Sequence, residues 1–145
     1  MLSILQLATA LCLLAISQIS IAAVILQYHH VSDTTPNSTS ISPTQFEAHL
    51  QYLADNNFTV VPLSDLMNSI KKQQPLNDKT VAITFDDAYL DILTQGKPIL
   101  DKFNYPFTIF INPNIVNRNS KSYLSWEQLK TMADEGVIIA NHGLN

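Results

Sequence analysis

Five short apolar runs alternate with helix-like stripes along this chain, and that alternation restricts the fold more than any other feature. The runs are Ala23 to Tyr28, Phe58 to Leu63, Thr80 to Phe85, Phe107 to Ile111 and Val137 to Ala140. Near-continuous apolar strands fit a sheet buried on both faces, as in parallel sheets covered by helices. The first run, AVILQY, is predicted to be such a strand. Between the runs lie helix start and stop signals. Ser42 can cap, Pro43 suits the first helical position and Gln45 completes a capping box, with Ile41 stapled onto Phe46. Phe46, Leu50 and Leu53 continue that stripe until Asn56-Asn57 stops it. Ser64 caps a second helix carrying Leu66, Met67 and Ile70. A third covers about Tyr89 to Phe103, with a break or restart at Gly96-Lys97-Pro98. After an irregular loop from Asn112 to Tyr123, Ser125 and Gln128 frame a second capping box, whose helix carries Leu129 and Met132 and stops at Gly136. Strands alternating with helices imply right-handed βαβ units on a parallel sheet, the α/β class.

A chain of 145 residues supports one domain with a real core. Its 46% apolar and 14% charged content is that of a globular protein. A net charge of −4, with no basic cluster beyond Lys71-Lys72, argues against nucleic acid as a partner. No charged side chain precedes Asp33, and Leu2 to Ile21 is dominated by Leu, Ile and Ala. Ser20-Ile21-Ala22 puts small residues before a cleavage point, so residues 1–22 read as a signal peptide and 23–145 as the domain. An uncleaved membrane anchor is the alternative. Either way the domain is exported to the periplasm, cell envelope or exterior, and membrane contact is confined to that segment. Cys12 is the only cysteine and lies inside it, which leaves any metal in the domain to His and carboxylate ligands.

The strand ends carry the chemistry. The five predicted strands run out at His29-His30, Leu63, Asp86-Asp87, Asn112 and His142. Four of these five ends bear a polar group, and α/β folds build their sites at the carboxyl ends of strands. Adjacent strand residues point to opposite faces, so Asp86 and Asp87 serve one site only where the strand stops. Two anions that close repel, and a cation beside a catalytic base relieves the conflict. Asp87 and His142 could supply an oxygen and an imidazole to Zn²⁺ or a similar divalent ion, which usually takes three protein ligands. A third is missing, and the chain stops three residues after His142, so a truncated sequence is expected. Each candidate has a plainer reading. A bare Asp-Asp pair is more often an exposed strand–loop junction, and a lone strand-end His is more often structural. His29-His30 could be one hydrogen-bonded buried His and one exposed. His49 reads as solvated surface, Trp126 as packing, and Phe103, Tyr105 and Phe107 as core.

Taken together, the residues resemble the polysaccharide deacetylase family, the NodB-homology carbohydrate esterases, and within it the branch acting on poly-N-acetylglucosamine. The resemblance runs through Gln27-Tyr28-His29-His30-Val31, Thr84-Phe85-Asp86-Asp87 and Tyr105 to Phe110. It continues through Leu124 to Leu129 and Ile139-Ala140-Asn141-His142. It implies parallel βα units forming part of a distorted (β/α) barrel. It also implies Asp86 as catalytic base, Asp87 and His142 as metal ligands, and His29 as a substrate-groove residue. The second His of the family's His-Ser/Thr-x-x-His motif would fall immediately after Asn145. An Arg that supports the base and a His general acid would lie later still. Ala88 stands where the family usually has Gly, and Gly143 where it usually has Ser or Thr.

The implied activity is metal-assisted hydrolysis of N-acetyl groups on an N-acetylglucosamine polymer, releasing acetate. The competing expectation is an inactive or glycan-binding remnant of such a domain. Phosphoryl transfer on Mg²⁺ is the poorer third reading, because no phosphate-cradling Gly-rich loop exists in a chain with 3 glycines.

Overall fold

A computed structural model describes residues 23–143. The elements, in order, are β1 (Ala23–Tyr28), β2 (His30–Val31), β3 (Ser40–Ile41), α1 (Pro43–Asp55), β4 (Thr59–Val60), α2 (Leu63–Lys71) and β5 (Thr80–Asp86). A wide π-type turn (Ile92–Gly96) then leads into α3 (Lys97–Phe103). Next come β6 (Thr108–Ile111), α4 (Pro113–Val116), α5 (Trp126–Asp134) and β7 (Ile138–Asn141). The principal sheet is wholly parallel in the order β1-β5-β6-β7. The short β4 pairs with the first half of β5, ahead of β6 on the same flank. Strand–helix alternation on a parallel sheet is therefore the observed architecture, and the α/β reading of the sequence holds.

Strand β5 is buried from end to end and organises the rest. Period-2 alternation sends Val81, Ile83 and Phe85 toward the helices, where they join Phe46, Leu50 and Leu53 of α1 and Ile99 and Leu100 of α3. Phe85 is the hub. Its ring lies 5.6 Å from Tyr28, 5.7 Å from Phe46 and 5.7 Å from Phe107. Each fully buried side chain of this size contributes about 1.5–3 kcal/mol of hydrophobic stabilisation. Thr80, Ala82, Thr84 and Asp86 take the opposite face.

Helix caps follow the sequence in three places. Ser42 accepts the Gln45 N–H at the start of α1, and Ser125 and Gln128 form a reciprocal box on α5. Gly136 follows α5 with φ of 98°, the left-handed conformation that a helix stop of this kind uses. The π-type turn also has a local cause. Pro98 lacks an N–H and its ring crowds the carbonyl four residues back, so the backbone winds loosely before α3 tightens.

Several expectations are corrected. Strand β1 is not buried on both faces: Val24 and Ile25 are 48% and 47% exposed. Among the described residues β1 pairs on one flank only, with β5. Helix α2 begins at Leu63 behind Pro62, with no side-chain cap, and Ser64 instead donates to the Asp65 carboxylate. Of its apolar stripe only Leu66 is buried, and Met67 and Ile70 face outward. Trp126 is 46% exposed, with its indole N–H donated to Asn117 Oδ1 at 2.8 Å rather than packed inside. The loop after Asn112 contains the short α4, which Asn112 caps through Asn114 N–H. The proposed leader, residues 1–22, lies outside the described residues. Among those described, no helix is long and apolar enough to cross a membrane.

Candidate active site

Register explains which side chains meet. Gln27 pairs with Thr84 and Tyr28 with Phe85, so His29 arrives level with Asp86 at the carboxyl end of the sheet. Asp86 pairs with Phe110, and Phe110 with Ala140, which brings His142 to the same end. In a parallel sheet paired residues share a face. Gln27, His29, Asp86 and His142 therefore stand on the face opposite the helical core. The His142 N–H donates to Ile111 O at 2.8 Å, fixing the backbone just past β7.

Asp86 is 5% exposed, and three nitrogens converge on its Oδ2. Gln27 Nε2 donates to it in a short hydrogen bond. His142 Nε2 lies at 3.5 Å and His29 Nε2 at 3.8 Å. A buried carboxylate without partners is costly, and these polar neighbours offset that cost. Asp87 sits one residue beyond the strand, at φ of 69°, followed by Ala88 at 54°. That left-handed pair breaks the strand alternation, and Asp87 Oδ2 receives the Tyr89 hydroxyl at 3.5 Å. Burial, together with the neighbouring Tyr123 and Asp87, raises the Tyr89 pKa well above the usual phenol range, so Tyr89 remains a donor.

A further layer surrounds this pair. His30 Nδ1 lies 2.6 Å from Asp91 Oδ2, and Asp91 Oδ1 accepts the Val31 N–H at 3.0 Å. The His30 ring stacks on Tyr89 at 3.6 Å, and Tyr89 stacks on Tyr123 at 4.9 Å. The two tandem histidines thus divide as the plainer reading expected, with His30 hydrogen-bonded and largely covered and His29 more open. His49 is on the surface, though Tyr28 OH meets its Nδ1 at 3.1 Å.

Of the four residues singled out from sequence, Asp86, His29 and His142 are brought together, and Asp87 adjoins them. Sequence reasoning missed Gln27, Tyr89 and Asp91 as neighbours of the site. Gln27 was signalled by lying two residues before His29 on one strand face. Tyr89 and Asp91 follow a backbone reversal, where no period applies.

Carboxylate and imidazole at strand ends are the donor types zinc takes, so Asp87 and His142 fit part of a zinc site by their chemistry. Among the described residues, no group of three or more His, Cys, Asp or Glu could hold an ion.

The fold and the cluster define a class: a parallel α/β protein with paired aspartates and converging imidazoles at the carboxyl ends of its strands. The chain belongs to the polysaccharide deacetylase family, whose model matches residues 73–145. It is 32% identical over 121 residues to the putative polysaccharide deacetylase YxkH of Bacillus subtilis, covering 83% of this chain and 42% of that protein. It is 22% identical over 140 residues to the poly-beta-1,6-N-acetyl-D-glucosamine N-deacetylase of Escherichia coli K12, covering 84% of this chain and 20% of that protein. The solved structure of IcaB from Ammonifex degensii superposes with a TM-score of 0.76 at 30% identity, covering 83% of this chain and 52% of that one. The chain thus spans about half or less of each of these relatives, and its fold is that of the NodB-homology deacetylases.

Proposed function

We propose that the protein hydrolyses N-acetyl groups on an exported polysaccharide containing N-acetylglucosamine, using a divalent metal, with zinc as the ion of choice. The observation that supports this reading best is the convergence of Gln27, His29 and His142 on the buried Asp86 carboxylate. Family membership supplies the reaction class, and the poly-N-acetylglucosamine relative supplies the substrate class. The uncharged apolar segment at residues 1–22 supports export.

Asp86 acts as general base. The Gln27 amide holds one carboxylate oxygen in place, and Asp86 removes a proton from the attacking water, a step that contributes roughly 10²–10⁴-fold. The water oxygen bonds to the acetyl carbon and the C–N bond breaks. The proton taken up by Asp86 balances the one the departing amine needs. His29, more open to solvent than Asp86, lines the groove where the sugar lies. Asp87 and His142 would hold the metal. When bound, the ion supplies Lewis acidity that polarises the amide carbonyl and acidifies water toward a pKa of ~7.

Asp86→Asn removes the base and leaves the hydrogen-bonding shape nearly intact. The wild-type protein is expected to release acetate from N-acetylglucosamine oligomers, and this variant to lose 10²-fold or more of that rate with its fold unchanged. Undiminished release would defeat the assignment. A second reading, an inactive glycan-binding remnant, is favoured by Ala88 and Gly143, which depart from the residues usual in the family. Stoichiometric, EDTA-sensitive zinc bound to the protein would exclude it.

A further inference from the structure

Tyr89 has no part in the chemistry above, yet its ring is restrained on both sides. One face meets His30 at 3.6 Å between ring centroids, and Tyr123 stacks at 4.9 Å. The backbone is restrained too: Tyr89 and Tyr123 form an isolated antiparallel bridge, and the Leu90 N–H donates to Ser122 O at 2.9 Å. His30 is itself locked, because Asp91 accepts from both its Nδ1–H and the Val31 N–H. Packing alone would require only the rings. The hydroxyl instead reaches Asp87 Oδ2 at 3.5 Å. The left-handed backbone at Asp87 and Ala88 takes the Asp87 side chain out of the β5 alternation, although the Asp87 N–H still donates to Phe110 O at 3.0 Å.

We propose that Tyr89, clamped between His30 and Tyr123 and braced by the Asp91–His30 pair, is a positioning residue that fixes the direction of the Asp87 carboxylate. This rests on the reading of Asp87 as a metal ligand. A carboxylate held by a fixed donor is pre-aimed, and groups that orient a ligand typically change metal affinity or activity by 10–100-fold.

The test uses full-length protein and two variants. Tyr89→Phe keeps the ring and deletes only the hydroxyl. Asp91→Asn leaves Tyr89 and Asp87 untouched and weakens the brace on His30. Zinc affinity is measured by competition with a chromophoric chelator, alongside kcat, KM and the thermal midpoint. For Tyr89→Phe, zinc affinity is expected to fall about 10-fold and kcat to drop, with KM and the thermal midpoint near wild type. Asp91→Asn shifts affinity in the same direction by a smaller factor. Zinc affinity within twofold of wild type in Tyr89→Phe would show that the ring is packing and overturn the proposal. If that variant does not fold, Asp91→Asn decides: weaker zinc binding supports the proposal and unchanged binding overturns it. A wild type that binds zinc without releasing acetate sinks the deacetylase reading alone. One that binds no zinc sinks both.

Discussion

Asp87 and Ala88 adopt φ values of 69° and 54°, a conformation that L-residues other than Asn and Asp seldom use. The resemblance to a family with Gly at the second position acquires a physical reason here, because glycine adopts this backbone without a steric penalty. Ala88→Gly relieves about 1–2 kcal/mol of left-handed strain. It also loses about 0.8 kcal/mol from a fully buried methyl and roughly 0.5–1 kcal/mol to the greater freedom of the unfolded chain. The variant is therefore expected within about 1 kcal/mol of wild type by urea denaturation. Ala88→Val adds β-branching to the same strain in a filled site and is expected to cost about 2–4 kcal/mol. Gly143, at φ of 120°, shows the converse: the Ser or Thr usual in the family would be strained on this backbone. None of these angles is legible in a single sequence. The Asp-Asp pair announced a strand end, but the manner in which the second acid leaves the strand is a property of the backbone that follows.

Between β1 and α1, Tyr28 joins the core through its ring and His49 through its hydroxyl. Burial pushes its phenol from the usual 10.0 up to about 12. The neutral form is the one the fold favours. Its contribution to stability is fully present below pH 10 and is lost as pH rises through the folded value near 12. Tyr28→Phe cannot ionise. At pH 8 it is expected to be less stable by roughly 0.5–1.5 kcal/mol for the missing hydrogen bond. The deficit is expected to shrink or reverse between pH 10 and 12, read as the difference in urea midpoints between the two proteins. A constant deficit across that window would contradict the assignment. At this scale the sequence is readable where chemistry is local: the Ser42 cap, the box at Ser125, the stop at Gly136 and the break before Pro98 all appear. It misled at β1 and α2. Apolar content in AVILQY and in Met67 and Ile70 cannot say whether a neighbour covers them, and the described residues leave these side chains open.

Across the molecule, the site is a product of register. Residues in three separate stretches, at the ends of β1, β5 and β7, share a face only if β1, β5, β6 and β7 align as observed, and Phe85 anchors the central strand to the helices beneath. Phe85→Ala is expected to cost about 3–5 kcal/mol, measured by thermal or denaturant unfolding. Acetate release from such a variant should fall with the folded fraction rather than through altered KM. The polar strand ends were visible in sequence because parallel α/β sheets gather them, and Asp86, Asp87, His29 and His142 were named on that ground. Asn112 also ends a strand, but its side chain caps α4. The sequence places Gln27 on the strand face of His29, but which acid its amide meets depends on the register of β1 against β5.

The stretch leading to α5 contributes two rungs to the acidic turn, with the Leu90 N–H donated to Ser122 O and the Leu124 N–H to Ala88 O. Evolution can therefore lengthen or rewrite that surface excursion up to Lys121 without disturbing the aspartates. Past that point, an insertion or deletion would shift both rungs at once, so Ser122 to Leu124 acts as a fixed splice beside an otherwise exchangeable loop.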